Sequence, residues 1–131
     1  MIDTEVTKEK IKALAEKYEL SLVVLFGSQA TGRIHSKSDV DIAVLAKSGF
    51  DKFKILEDVY DIFEREDVEV VDLDEAEPAM MRVLVEEGLL LYEDSPEAFF
   101  KWQLYAIRVW LDTVEWNYSM LNNLARIDVS N

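Results

Sequence analysis

Apolar residues along this chain recur with two different periods, and stretches of the two alternate. Between residues 7 and 18, Ile11, Leu14, Ala15 and Tyr18 share one face among lysines and glutamates, which predicts an amphipathic helix. The run LVVLF, residues 22–26, stops at Gly27 and reads as a strand buried on both faces. VDIAVL, residues 40–45, is a second strand. Val40, Ile42 and Val44 line one side of it and Asp39, Asp41 and Ala43 the other, so the first side is expected to be core and the second chemistry or solvent. Phe53, Leu56, Tyr60 and Phe63 recur at steps of three and four and predict a helix over 50–66. VEVVDL, residues 68–73, is a third strand, in which Asp72 interrupts the apolar row of Val68 and Val70. Pro78 opens a helix carrying Met81, Leu84 and Val85, Gly88 closes it, and LLLY, residues 89–92, is a fourth strand. Helices and strands joined by short connections give an α/β (α+β) class with a small mixed sheet flanked by helices.

The last segment breaks the pattern. Ser95-Pro96-Glu97 reads as a helix start with Ser95 as its cap. From there the helix is expected to reach about residue 124, on the order of 45 Å. Seven of the fourteen aromatic residues lie between Phe99 and Tyr118, and they do not keep to one stripe. Phe99, Ala106, Trp110, Val114 and Leu121 form one seam, and Trp102, Tyr105, Val109 and Trp116 another. One small domain cannot readily bury both. Residues 1–94 are therefore read as the core, and 95–131 as a helix of the same domain that doubles as an interaction surface. Either a different protein or a second copy, making a homodimer, would cover it.

Composition narrows the chemistry. A length of 131 residues, half of them hydrophobic, suits one domain. There is no cysteine and a single histidine, His35, so carboxylates are left as the metal ligands on offer. With 27 acidic and 14 basic residues the net charge is −13, which disfavours direct nucleic-acid binding and favours a cation or a basic protein partner. No leader pattern and no run of membrane-spanning length is evident, so a cytoplasmic location is expected and a membrane role is not.

Against that background the stretch FGSQATGRIHSKSDVDIAVL, residues 26–45, stands out. A strand ending in Gly27-Ser28 offers a tight turn with backbone N–H groups and a hydroxyl, a combination suited to phosphate oxygens. Ten residues later Asp39 and Asp41 lie on one face of a strand, close enough for both to bind one hard cation such as Mg²⁺. Asp72 on a neighbouring strand would complete a two-metal arrangement.

Gly27-Ser28, the ten-residue spacer and Asp39-x-Asp41 resemble the signature of the DNA polymerase β-like nucleotidyltransferase superfamily, and the short chain resembles its minimal nucleotidyltransferase branch. The likeness in order of elements runs over residues 5–92. It implies ATP as substrate with two Mg²⁺ ions, Gly27 and Ser28 on the triphosphate, Asp39 and Asp41 as metal ligands, and Asp72 as third carboxylate, both ligand and base. In one respect the sequence departs from the pattern: many relatives carry arginine where Thr31 stands. Arg33, His35 and Lys37 are read as solvated loop residues. The minimal branch resembles the antitoxins of HEPN/MNT toxin–antitoxin systems, which implies AMP transfer to a hydroxyl, commonly of a tyrosine, on a small helical HEPN-type toxin. Two other functions stay open: an antitoxin that neutralises by binding alone, and a small-molecule nucleotidyltransferase of the antibiotic-modifying type.

Overall fold

Helix α1 (Thr4–Tyr18) ends where Glu19 takes a left-handed φ of 55°, and within that residue the chain turns into β1 (Leu20–Phe26). The strand thus begins two residues earlier than its apolar run suggests. The computed structural model describes residues 4–27 and 40–129. Its further elements are β2 (Val40–Ala46), α2 (Lys52–Phe63), β3 (Val68–Asp72), a 3₁₀ turn (Leu73–Glu75), α3 (Pro78–Glu87), β4 (Leu89–Glu93) and α4 (Ala98–Val129). The strands are ordered β3-β2-β1-β4. β1 pairs antiparallel with β2 and β4, while β2 and β3 run parallel. This is the mixed sheet with flanking helices that the alternating periods predict.

Both faces of the sheet are covered. On one, Ile11 and Leu14 of α1 and Ile55 and Val59 of α2 pack on Val23, Ile42 and Val44. On the other, Leu22, Val24 and Ala43 lie beneath Met81 and Leu84 of α3 and Phe99 and Trp102 of α4. The Ala43 side of β2, expected to be chemistry or solvent, is therefore core over most of its length and opens only toward Asp41, which is half-buried.

Local chemistry explains where the helices start and stop. Asp51 accepts hydrogen bonds from the N–H groups of Phe53 (3.0 Å) and Lys54 (3.4 Å), so α2 begins at Lys52. Its buried stripe runs through Ile55 and Val59, whereas Phe53, placed on the apolar face by spacing alone, is 78% exposed. Pro78 opens α3 as predicted, and the N–H of Gly88 closes it on the carbonyl of Leu84 at 2.9 Å. Gly88 is needed there for close approach: a Cβ would lie 2.9 Å from Val24 Cγ1 and would also overlap the Leu84 carbonyl. Ser95 is not the cap of α4. Its hydroxyl bonds to Asp94, and the carboxylate of Glu93, at the end of β4, accepts from the N–H of Phe99 at 3.0 Å.

The two helices on the first face are clamped together at one carboxylate. Asp58 Oδ2 on α2 accepts from the Tyr18 hydroxyl at 2.6 Å and from Lys17 Nζ at 2.9 Å, both on α1. Tyr18 first, then Lys17, holds the Asp58 carboxyl below its usual range.

Two measurements check this architecture. Ile55→Ala should cost about 2–5 kcal/mol in urea denaturation, while Phe53→Ala stays within about 0.5 kcal/mol. A carboxyl whose folded pKa is lowered contributes stability above its unfolded pKa and loses it as pH falls through the folded value. Denaturation below about pH 4 should therefore be less steeply pH-dependent in Asp58→Asn than in the wild type.

Candidate active site

The end of β1 and the start of β2 meet across an antiparallel ladder that pairs Phe26 with Asp41. Directly after Phe26, Gly27 takes φ of +80°, a left-handed conformation open to glycine at little cost. A Cβ built on Gly27 would overlap Asp41 Oδ2 and lie 3.4 Å from Asp41 Cγ. The missing side chain is thus a hollow into which the Asp41 carboxylate fits. Ser28 and Asp39 lie outside the described residues, as do Thr31, Arg33, His35 and Lys37.

β3 supplies the next carboxylate, and the register decides which one. β2 and β3 are parallel, with Asp41 beside Glu69 and Val44 beside Asp72. Side chains alternate along a strand, so Asp41, Ala43, Glu69 and Val71 share one face, and Val44, Val70 and Asp72 share the other. Asp72 is therefore on the face opposite Asp41 and three positions further along the sheet, roughly 10 Å away at the rise of a strand. Its carboxylate is engaged elsewhere, accepting from the N–H of Asp74 at 3.0 Å and so capping the 3₁₀ turn. The expectation that Asp72 lies beside Asp41 is corrected on these grounds: the acid next to Asp41 on its own face is Glu69. A signal for Glu69 is present in VEVVDL. It is the acid out of phase with the apolar row, as Asp41 is in its own strand, whereas Asp72 is in phase with it.

The other carboxylate at this end of β3 is occupied. Arg65 donates through Nε and Nη2 to the two oxygens of Asp67, a forked pair that holds the Asp67 carboxyl below its usual range. Among the described residues no three His, Cys, Asp or Glu side chains gather as a metal centre. Asp41 and Glu69 make two neighbouring carboxylates, the donor type that hard divalent cations prefer.

Residues 9–97 match the family model described as polymerase beta, nucleotidyltransferase. The chain is 30% identical to the protein adenylyltransferase MntA of Aphanizomenon flos-aquae (strain 2012/KM1/D3), with 73% of this chain and 79% of that protein covered. Its fold is similar to that in a crystal structure of a toxin–antitoxin with AMP-PNP, at a TM-score of 0.73 and 24% identity, covering 90% of this chain and 98% of the other. It is also similar to a chain in the structure of tri-AMPylated Shewanella oneidensis HEPN toxin in complex with MNT antitoxin, at a TM-score of 0.70 and 21% identity, covering 94% and 99%. At those identities the two structures speak for the fold.

The glycine hollow makes a contrast that denaturation can read. Gly27→Ala should cost about 1–2 kcal/mol or more, from the left-handed backbone and the overlap with Asp41. Gly49, where an added Cβ meets nothing within 4 Å, should tolerate alanine without loss.

Proposed function

We propose that this chain, which belongs to the polymerase β nucleotidyltransferase family, transfers AMP from ATP to a hydroxyl of a HEPN-type toxin and acts as that toxin's antitoxin. One observation carries the reading at this site: Asp41 seated in the hollow of Gly27 at a strand end, with Glu69 beside it on the same face. The adenylyltransferase relative supports the reaction class, and the structures with AMP-PNP and with AMPylated toxin support the nucleotide and the partner.

The residues fit Mg²⁺, because the hollow at Gly27 orients one carboxylate and the β2–β3 register sets a second next to it. Asp41 and Glu69 would hold the ions together with Asp39, which enters on the Asp-x-Asp signature. When bound, the ions offset the charge of the triphosphate and of the departing pyrophosphate. That matters in a protein of net charge −13, which by itself repels a nucleotide.

The chain's own groups do the rest. The backbone at Gly27 and the hydroxyl of Ser28 hold the triphosphate. Glu69 accepts the proton of the attacking hydroxyl, a tyrosine in this reading. The hydroxyl oxygen forms its bond to the α-phosphorus as the bond from that phosphorus to pyrophosphate breaks. A cytoplasmic setting supplies the ATP, and no helix among the described residues is long and apolar enough to cross a membrane.

The test is to mix the purified protein with a HEPN-type toxin, Mg²⁺ and ATP labelled on the α-phosphate. The toxin should acquire label, and chelation of the metal should stop transfer. Asp41→Asn and Glu69→Gln should each slow transfer by roughly 10²–10⁴-fold. Asp72→Asn should leave it within a few-fold, since an asparagine side chain caps the 3₁₀ turn as well. Neutralisation of an unlabelled toxin would reduce the protein to a binding module. Loss of activity in Asp72→Asn with retention in Glu69→Gln would return the third-carboxylate role to Asp72.

A further inference from the structure

Helix α4 carries a second apolar row, far round from the stripe that packs on the sheet. From Phe100 to Ala125, exposed apolar positions recur at alternating steps of four and three, the 3.5-residue period of a coiled-coil seam. Those from Phe100 to Leu121 are between 41% and 66% exposed. At about 100° per residue the row lies roughly 140° from the packed stripe of Phe99, Trp102, Ala106 and Val109. Neither seam marked by spacing alone is this row: the first mixes Phe99 and Ala106 of the packed stripe with Val114 and Leu121 of the row, and the second contains none of the row.

Seven large apolar side chains of this row are each 41–66% exposed, a contiguous patch of the kind that marks an interface, to which each partner of a stable complex gives ~800 Å². Charge says what can cover it. Residues 100–125 hold Lys101, Arg108, Asp112 and Glu115, two of each sign, in a protein of net charge −13. The helix is thus a neutral strip along which two otherwise acidic copies can approach without strong repulsion.

We propose that α4 is a self-pairing helix, joining two copies of this chain as an antiparallel coiled coil about a twofold axis near Asp112 and Thr113. In that register the row is complementary to itself, as an isologous interface requires. Leu111 lies opposite Val114 of the other copy and Leu104 opposite its Leu121. Bulk alternates further out, where Ile107 faces Tyr118 and Phe100 faces Ala125. The flanking charges choose the direction. With the row at positions a and d, Arg108 and Glu115 both fall at position e, and antiparallel pairing sets e against e. Arg108 of each copy then reaches Glu115 of the other, twice by symmetry. Parallel pairing would set Gln103 against Arg108 and Trp110 against Glu115, with no opposite charges matched. The inference does not depend on the transfer reaction.

Sedimentation equilibrium on the full chain alone, at tens of micromolar, tests it. A dimer is expected. Leu111→Glu, at a position 59% exposed in the single chain, should raise the dissociation constant at least 100-fold with unchanged circular dichroism. Arg108→Glu or Glu115→Arg should each weaken the dimer by roughly 10-fold, and the double exchange should restore it. The chain has no cysteine, so a spin label on Asn123→Cys reports direction: about 30 Å of axial offset if antiparallel and almost none if parallel. A monomeric wild type, a dimer indifferent to Leu111→Glu, failure of the double exchange, or the short label distance would each overturn the proposal. So would a row that is covered only when a toxin binds.

Discussion

Side-chain alternation along β2 is the constraint on which the rest of the molecule turns. Val40, Ile42 and Val44 fill one face and Ala43 is sealed on the other, so the strand has no free side except at its Asp41 end. Slipping the register by one residue would drive Asp41 into the α1–α2 core, where an uncompensated carboxylate costs several kcal/mol. The glycine corner secures the same register independently, since only a residue without Cβ leaves space for that carboxylate. One strand therefore serves as both the centre of the sheet and the mount for its chemistry.

The layers on the two faces have different roles. The α1–α2 layer, tied at Asp58, touches the sheet only on the face away from Asp41 and Glu69. The α3–α4 layer shares its face with those acids and lies close upon it, as the tight fit of Gly88 against Val24 shows. The side of the sheet that carries Asp41 and Glu69 is therefore the α3–α4 side.

Order and type of the elements were legible in the sequence because each apolar run is long enough to declare its period. Their ends were less so. The starts of α2 and α4 depend on carboxylates, Asp51 and Glu93, that say nothing through periodicity, and Glu93 acts from the preceding strand. At the site, Gly27 and Asp41 were readable from spacing, and the structure seats the one against the other. The third acid was not, for a physical reason. Alternation in VEVVDL already sets Glu69 out of phase with the apolar row and Asp72 in phase with it, but that this strand lies beside β2 with Glu69 level with Asp41 follows only from the β2–β3 register. The heptad row of α4 was hidden similarly. Its residues become distinguishable from the core stripe only once Phe99, Trp102 and Ala106 are known to face the sheet.

The single hydrogen bond from Phe99 N–H to Glu93 has a mechanical consequence. It ties the root of α4 to the rim of the sheet, while every side chain from Val114 to Ala125 is exposed. A rod of that kind is a lever. Over an overhang of about 20 Å, each degree of tilt at the root moves the tip by about 0.3 Å. The aim of the whole arm, and hence the position of whatever it meets, is set by how firmly the packed stripe of Phe99, Trp102, Ala106 and Val109, with the Glu93 tie at its end, holds the first turns.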